Sequence, residues 1–239
     1  MKLSSGPGAQ RRGAGKRTTV DRGRPVTSRT VRRIMFLDVD WTVLRPRLTS
    51  VEVFAARMEG RVPVERAARS REARVSVLLP FAEKRGHMYC RPRVLSAIRR
   101  LPPELDIRWL TSWMVSEDHL RQLQADLRIP QDRIQIADVP DGVELTRFGF
   151  KDDYRAADHW KARTVVHALR SDPLAVALWM DDEVGMRVCN LLPADVQSRL
   201  NYLRPASWTG MLTESDLAKA HRWATGDLLE LGLDRTEQY

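Results

Sequence analysis

The run Ile34-Met35-Phe36-Leu37 passes without interruption into Asp38-Val39-Asp40, and this junction constrains the fold more than any other stretch. A continuous apolar run reads as a strand buried on both faces, the habit of parallel sheets. Acids placed just after such a strand face the crevice at the sheet's carboxyl rim rather than the core. If Asp38 and Asp40 both point there, the hard oxygen ligands favour a divalent cation. The competing reading is an Asp-rich turn after a strand, and for the motif alone that reading prevails.

A second apolar run, Leu174 to Met180, also stops at acids, Asp181-Asp182-Glu183. Between the two runs, strands are expected at Arg74–Leu79 and Gly86–Cys90 as a hairpin, then at Ile107–Leu110 and Arg133–Ala137, with Leu200–Leu203 near the end. Helical spacing places Val94, Leu95, Ile98 and Leu101 on one face after Pro92, and Leu120, Leu123 and Leu127 on another after a Ser116 cap. Residues 159–170 continue the pattern. Thr213 with Asp216 three residues on predicts a capped final helix burying Leu217, Ala220, Trp223 and Ala224. Strands alternating with helices predict an α/β fold: a doubly wound, Rossmann-like parallel sheet with helices on both faces and a small insertion after the first strand. Residues 34–239 are expected to form one domain, with 45–90 as the small cap-like insertion, in which Val51, Val53, Phe54, Met58 and Val62 make a partial helical stripe. Residues 138–158 are expected to form a surface loop.

The formal charge of +9 suggests a nucleic-acid binder until it is located. Residues 1–33 hold ten Lys and Arg against the single acid Asp21, so this tail accounts for the whole +9. Rich in Gly, Ser, Thr and Arg, it cannot offset the entropy of ordering and is expected to be disordered. Three readings fit it. It is functionally neutral, or a basic arm meeting nucleic-acid phosphates nonspecifically, or a transit peptide, in that order of preference. No apolar run is long enough to span a bilayer, so no membrane partner is expected and a cytoplasmic location is the default. Cys90 and Cys189 are too few for a disulfide framework and are expected to be free, Cys189 buried. His87, His119, His159, His167 and His221 share no ligand spacing and are read mostly as surface residues, and the seven tryptophans as core.

In a doubly wound sheet the two acid-bearing ends converge with a third that runs into Thr111-Ser112-Trp113. Four carboxylates at one rim repel unless a cation neutralises them, and a donor set of oxygens favours Mg²⁺ over zinc. Thr111 could equally be a plain strand-end hydroxyl, and Lys161 a solvated helix lysine with Lys151 as rival; Glu183 is read as a supporting or helix-start acid.

These residues, in this order, resemble the motifs of the haloacid dehalogenase-like hydrolase superfamily over about residues 33–190. Phe36-Leu37-Asp38-Val39-Asp40-Trp41-Thr42 resembles its first motif, Trp109-Leu110-Thr111 its second, Lys161 its third and Leu178-Trp179-Met180-Asp181-Asp182 its fourth. The resemblance implies a Mg²⁺-dependent phosphohydrolase in which Asp38 forms an aspartyl-phosphate and Asp40 serves as acid and base. It further implies that Thr111 and Lys161 hold the phosphoryl oxygens of a phosphorylated substrate. Asp38, Asp40 (through its carbonyl), Asp181 and Asp182 would bind the metal. Trp41 departs from the pattern, which has a small residue there, often Gly. An indole in that place narrows the site, stacks on a planar substrate, or marks a fold without turnover. Two other functions compete: a nucleic-acid-associated protein using the basic tail, in end repair or binding, and a catalytically silent relative.

Overall fold

Three strand ends lying level with one another organise the molecule. The computed structural model describes residues 31–46, 72–79, 84–143, 159–182, 188–205 and 211–226. In chain order they form β1 (Arg33–Leu37), β2 (Leu44–Arg45), β3 (Ala73–Leu78), β4 (Arg85–Cys90), α1 (Pro92–Arg99), β5 (Asp106–Trp109), a 3₁₀ turn (Ser112–Val115), α2 (Glu117–Asp126), β6 (Gln135–Ile136), α3 (Trp160–Ser171), β7 (Val176–Met180), α4 (Ala194–Gln197), β8 (Leu200–Leu203) and α5 (Glu214–Thr225).

The main sheet has five strands in the order β6-β5-β1-β7-β8, every pair parallel. The chain builds outward from β1 through β5 to β6, then returns to the other side of β1 for β7 and β8. Leu37 lies opposite both Trp109 and Met180, so β1, β5 and β7 finish at one level. The ladder continues one step past them: Asp38 N donates to the Met180 carbonyl at 3.0 Å and Leu110 N to the Leu37 carbonyl at 3.0 Å. Met35, Phe36, Leu37, Leu178, Trp179 and Met180 are completely enclosed, as strands covered on both faces require.

Local chemistry accounts for the helix ends. Pro92 opens α1, which turns Val94, Leu95 and Ile98 inward. The Ser116 hydroxyl caps α2 by accepting from His119 N at 3.3 Å. At α5, Thr213 N donates to Asp216 Oδ2 at 2.7 Å while the Thr213 hydroxyl accepts from Asp216 N, a complete capping box. That helix stops at Gly226, whose φ of +84° suits a residue without Cβ.

A second, three-stranded antiparallel sheet, β2-β4-β3, follows β1. The expected hairpin is present, with Ser76 opposite His87, and β2 adds to it through Leu44 opposite Cys90. Arg45 ties this sheet together. Its guanidinium reaches Glu72 at 2.5 Å and lies over the Tyr89 ring at 5.2 Å.

Several sequence expectations need correction. The strand expected at 174–180 begins at Val176, because Asp172 Oδ1 accepts from Leu174 N at 3.1 Å and turns the chain first. The strand expected at 133–137 pairs only over Gln135–Ile136, and that expected at 107–110 runs from Asp106 to Trp109. Cys189 is only half-buried; Cys90 is the enclosed thiol. His159 is buried, because its ring nitrogen caps α3. The tail through residue 30, the stripe from Val51 to Val62 and the loop beyond residue 143 lie outside the described residues, as do Lys151 and Glu183. Among the described residues no helix is long and apolar enough to cross a membrane.

Candidate active site at the carboxyl rim

Because β1 and β7 are adjacent and end level, the residues after them are forced together. Asp38 follows the end of β1 and Asp181 the end of β7; both are buried, and Asp182 is half-buried. Carboxylate oxygens of Asp38, Asp181 and Asp182 lie within 4.8 Å of one another. Lys161 comes from the first turn of α3, which His159 starts by accepting from Lys161 N at 3.3 Å. Its ammonium reaches Asp181 at 2.7 Å and Asp38 at 3.1 Å. Tyr202 on β8 fastens the same corner, donating its hydroxyl to the Asp181 carbonyl.

The electrostatics follow from this crowding. Burial pushes the Asp38 carboxyl well above the usual carboxylate range; Lys161 pulls it back, and Asp181, Asp182 and Asp40 add to the rise. For Lys161, burial opposes the ammonium, but Asp181 and Asp38 together more than offset it and hold the lysine charged above its ordinary range. Three carboxylates thus crowd around one ammonium at the end of the central strands. A set of oxygen-only donors this close together fits a divalent cation of the Mg²⁺ class, with Asp38, Asp181 and Asp182 able to supply its carboxylates.

Asp40 is directed elsewhere. Its Oδ2 accepts from the Trp113 indole N–H at 2.9 Å, and the Ser112 hydroxyl lies 3.5 Å from the same oxygen. Its carboxylate is not part of the three-acid group. Burial raises the Asp40 pKa, against the pull of the Trp113 hydrogen bond, Lys161 and Ser112. Thr111 is fully buried, and its Oγ1 accepts from Trp113 N at 3.5 Å, starting the 3₁₀ turn that carries Ser112 and Trp113 to Asp40.

The turn after Asp38 is tight: the Val39 carbonyl accepts from Thr42 N, Val43 N and Leu44 N at 3.3, 2.9 and 2.9 Å. Within it Trp41 takes a φ of +56°, the left-handed region that glycine occupies freely. The backbone thus has the shape a glycine would suit, with an indole attached and half-buried.

Sequence reasoning did not find the contacts of Trp113, Ser112 and Tyr202. Trp113 is indeed core, 2% exposed, as its residue type suggests. The available signal was its place two residues after Thr111 at the same rim, which could have marked its N–H as a donor to the acids.

In comparisons with protein-family models, curated proteins and solved structures, nothing matches this chain.

Proposed function

We propose that this protein is a Mg²⁺-dependent phosphohydrolase on a doubly wound, haloacid dehalogenase-like fold, working in the cytoplasm. The observation that carries the reading is the Lys161 ammonium, held between Asp38 and Asp181 with Asp182 alongside, where the central strands end.

An Asp38 oxygen attacks phosphorus and forms a P–O bond as the bond to the leaving oxygen breaks, giving an aspartyl-phosphate. Asp40 gives its proton to that leaving oxygen, which departs as an alcohol. Water then attacks the phosphoryl group, passes a proton to the Asp40 carboxylate and releases inorganic phosphate. Asp38 and protonated Asp40 are thereby restored. Lys161 sets a fixed positive charge against the phosphoryl oxygens, and the buried Thr111 stands at the same rim to contact them. Mg²⁺ held by Asp38, Asp181, Asp182 and the Asp40 carbonyl would supply charge neutralisation between carboxylate and phosphate.

Phosphate release from a panel of nucleotides, sugar phosphates and nucleic-acid ends, with and without Mg²⁺, tests this reading. The expected result is Mg²⁺-dependent turnover of at least one ester that disappears in Asp38→Asn. Undiminished turnover in Asp38→Asn, or none on any ester, overturns it.

A further inference from the structure

We propose that Trp113 is a positioning residue for Asp40, fixing which carboxyl oxygen of Asp40 meets the leaving group. The proposal rests on the phosphohydrolase reading and adds to it a residue outside the four motif positions.

Two donors converge on one oxygen. The indole N–H of Trp113 and, more weakly, the Ser112 hydroxyl address Oδ2 of Asp40, at 2.9 and 3.5 Å. Among the described residues Oδ1 receives no hydrogen bond. An oxygen that accepts an indole N–H keeps its lone pair for that purpose, because a carboxyl O–H oxygen is the poorer acceptor. The proton of a protonated Asp40 therefore sits on Oδ1. Trp113 also holds the carboxyl rotation, since its own ring is enclosed in the core and cannot follow a turning partner. The rotation is further set by the short path from Thr111, whose Oγ1 accepts from Trp113 N and starts the turn that presents the indole. One tryptophan thus serves packing with its ring and orientation with its N–H.

In the leaving step, Oδ1–H gives its proton to the departing oxygen as the P–O bond breaks, while Oδ2 keeps its bond to the indole. In the second step Oδ1 takes a proton from the attacking water. The positioning matters in proportion to how much the leaving oxygen needs that proton. An alkyl phosphate leaves as a strongly basic alkoxide and depends on it; p-nitrophenyl phosphate leaves as a stabilised phenolate and scarcely does.

The test compares Trp113→Phe with wild type on p-nitrophenyl phosphate and on a simple alkyl phosphate, both with saturating Mg²⁺. The expected result is an unchanged KM for both esters. kcat should fall about 10- to 100-fold on the alkyl ester and less than about 3-fold on the aryl ester, a fraction of the usual general-acid contribution. Ser112→Ala should show the same bias at smaller size without altering the core, which covers the case of a Phe variant that does not fold. Equal losses on both esters, or none, overturn the positioning role while leaving the phosphohydrolase reading intact. A wild type inactive on every phosphate ester overturns that reading, and this role with it. The contact has its own readout: the Trp113 indole N–H resonance should move in Asp40→Asn, and an unmoved resonance overturns the proposal independently of turnover.

Discussion

The Lys161 ammonium stands 2.7 Å from the Asp181 carboxylate in a corner where neither side chain reaches water freely. Breaking a buried pair from one side costs about 3–5 kcal/mol, because the remaining charge stays desolvated. Lys161→Met should lower the urea-denaturation free energy by an amount in that range, and Mg²⁺ should recover part of the loss. A variant as stable as wild type in metal-free buffer would show that the pair carries no such cost.

The three-acid cluster should make stability depend on pH and metal together. Burial raises the Asp38 pKa above its unfolded value, so its favourable contribution is complete at pH values below the unfolded pKa. It is lost as pH rises through the folded pKa. Without metal, the Asp38 contribution should therefore weaken with rising pH. With Mg²⁺, the gain in melting temperature should grow over the same rise, since the cation takes the place of a proton. Thermal melts across pH, with Asp181→Asn as control, check this; a Mg²⁺ shift that is flat with pH, or the same in the control, counts against a metal at these acids.

At Trp41 the backbone and the side chain pull in opposite directions. A left-handed conformation costs a non-glycine residue roughly 1–2 kcal/mol, which a glycine would relieve. Trp41→Gly gives up the contacts of a half-buried ring and adds chain entropy to the unfolded state. The net change should stay within about 1 kcal/mol, against about 3–5 kcal/mol for Trp109→Ala in the enclosed core. A loss of several kcal/mol on Trp41→Gly would identify the indole as a packing element rather than a rim residue.

Neither thiol should be reactive in the folded protein. Burial pushes Cys90 up to about 11 and Cys189 up to about 12, with Glu72 and Asp181 respectively adding to the rise. Near pH 8 the thiolate fraction of Cys90 is then on the order of one in a thousand, and that of Cys189 smaller still. A thiol-labelling assay should find both cysteines slow in buffer, faster as pH rises, and fully labelled in denaturant. Rapid labelling of Cys189 near neutral pH would contradict its placement beside Asp181.

The parts of the fold legible in the sequence are those written in burial. β1 and β7 stand out because a central parallel strand must be apolar on both faces, and Thr213 with Asp216 signals its helix start in two residues. β2 is illegible in isolation: Leu44 and Arg45 become a strand only by pairing with Tyr89 and Cys90. The candidate site divides in the same way. Asp38, Asp181 and Asp182 converge because each follows a recognisable strand, whereas the Asp40 partner depends on where an indole N–H points, which periodicity does not encode. His159 is buried for a related reason: its ring caps a helix by accepting from Lys161 N two residues on, a role that Ser, Thr, Asp and Asn usually signal and a histidine does not.

The level ending of β1 and β7 makes the distance between Asp38 and Asp181 a property of the ladder and not of any loop. Changes of sequence outside these two strands then leave the spacing of the acids untouched. The geometry of the acid cluster is therefore inherited with the sheet itself.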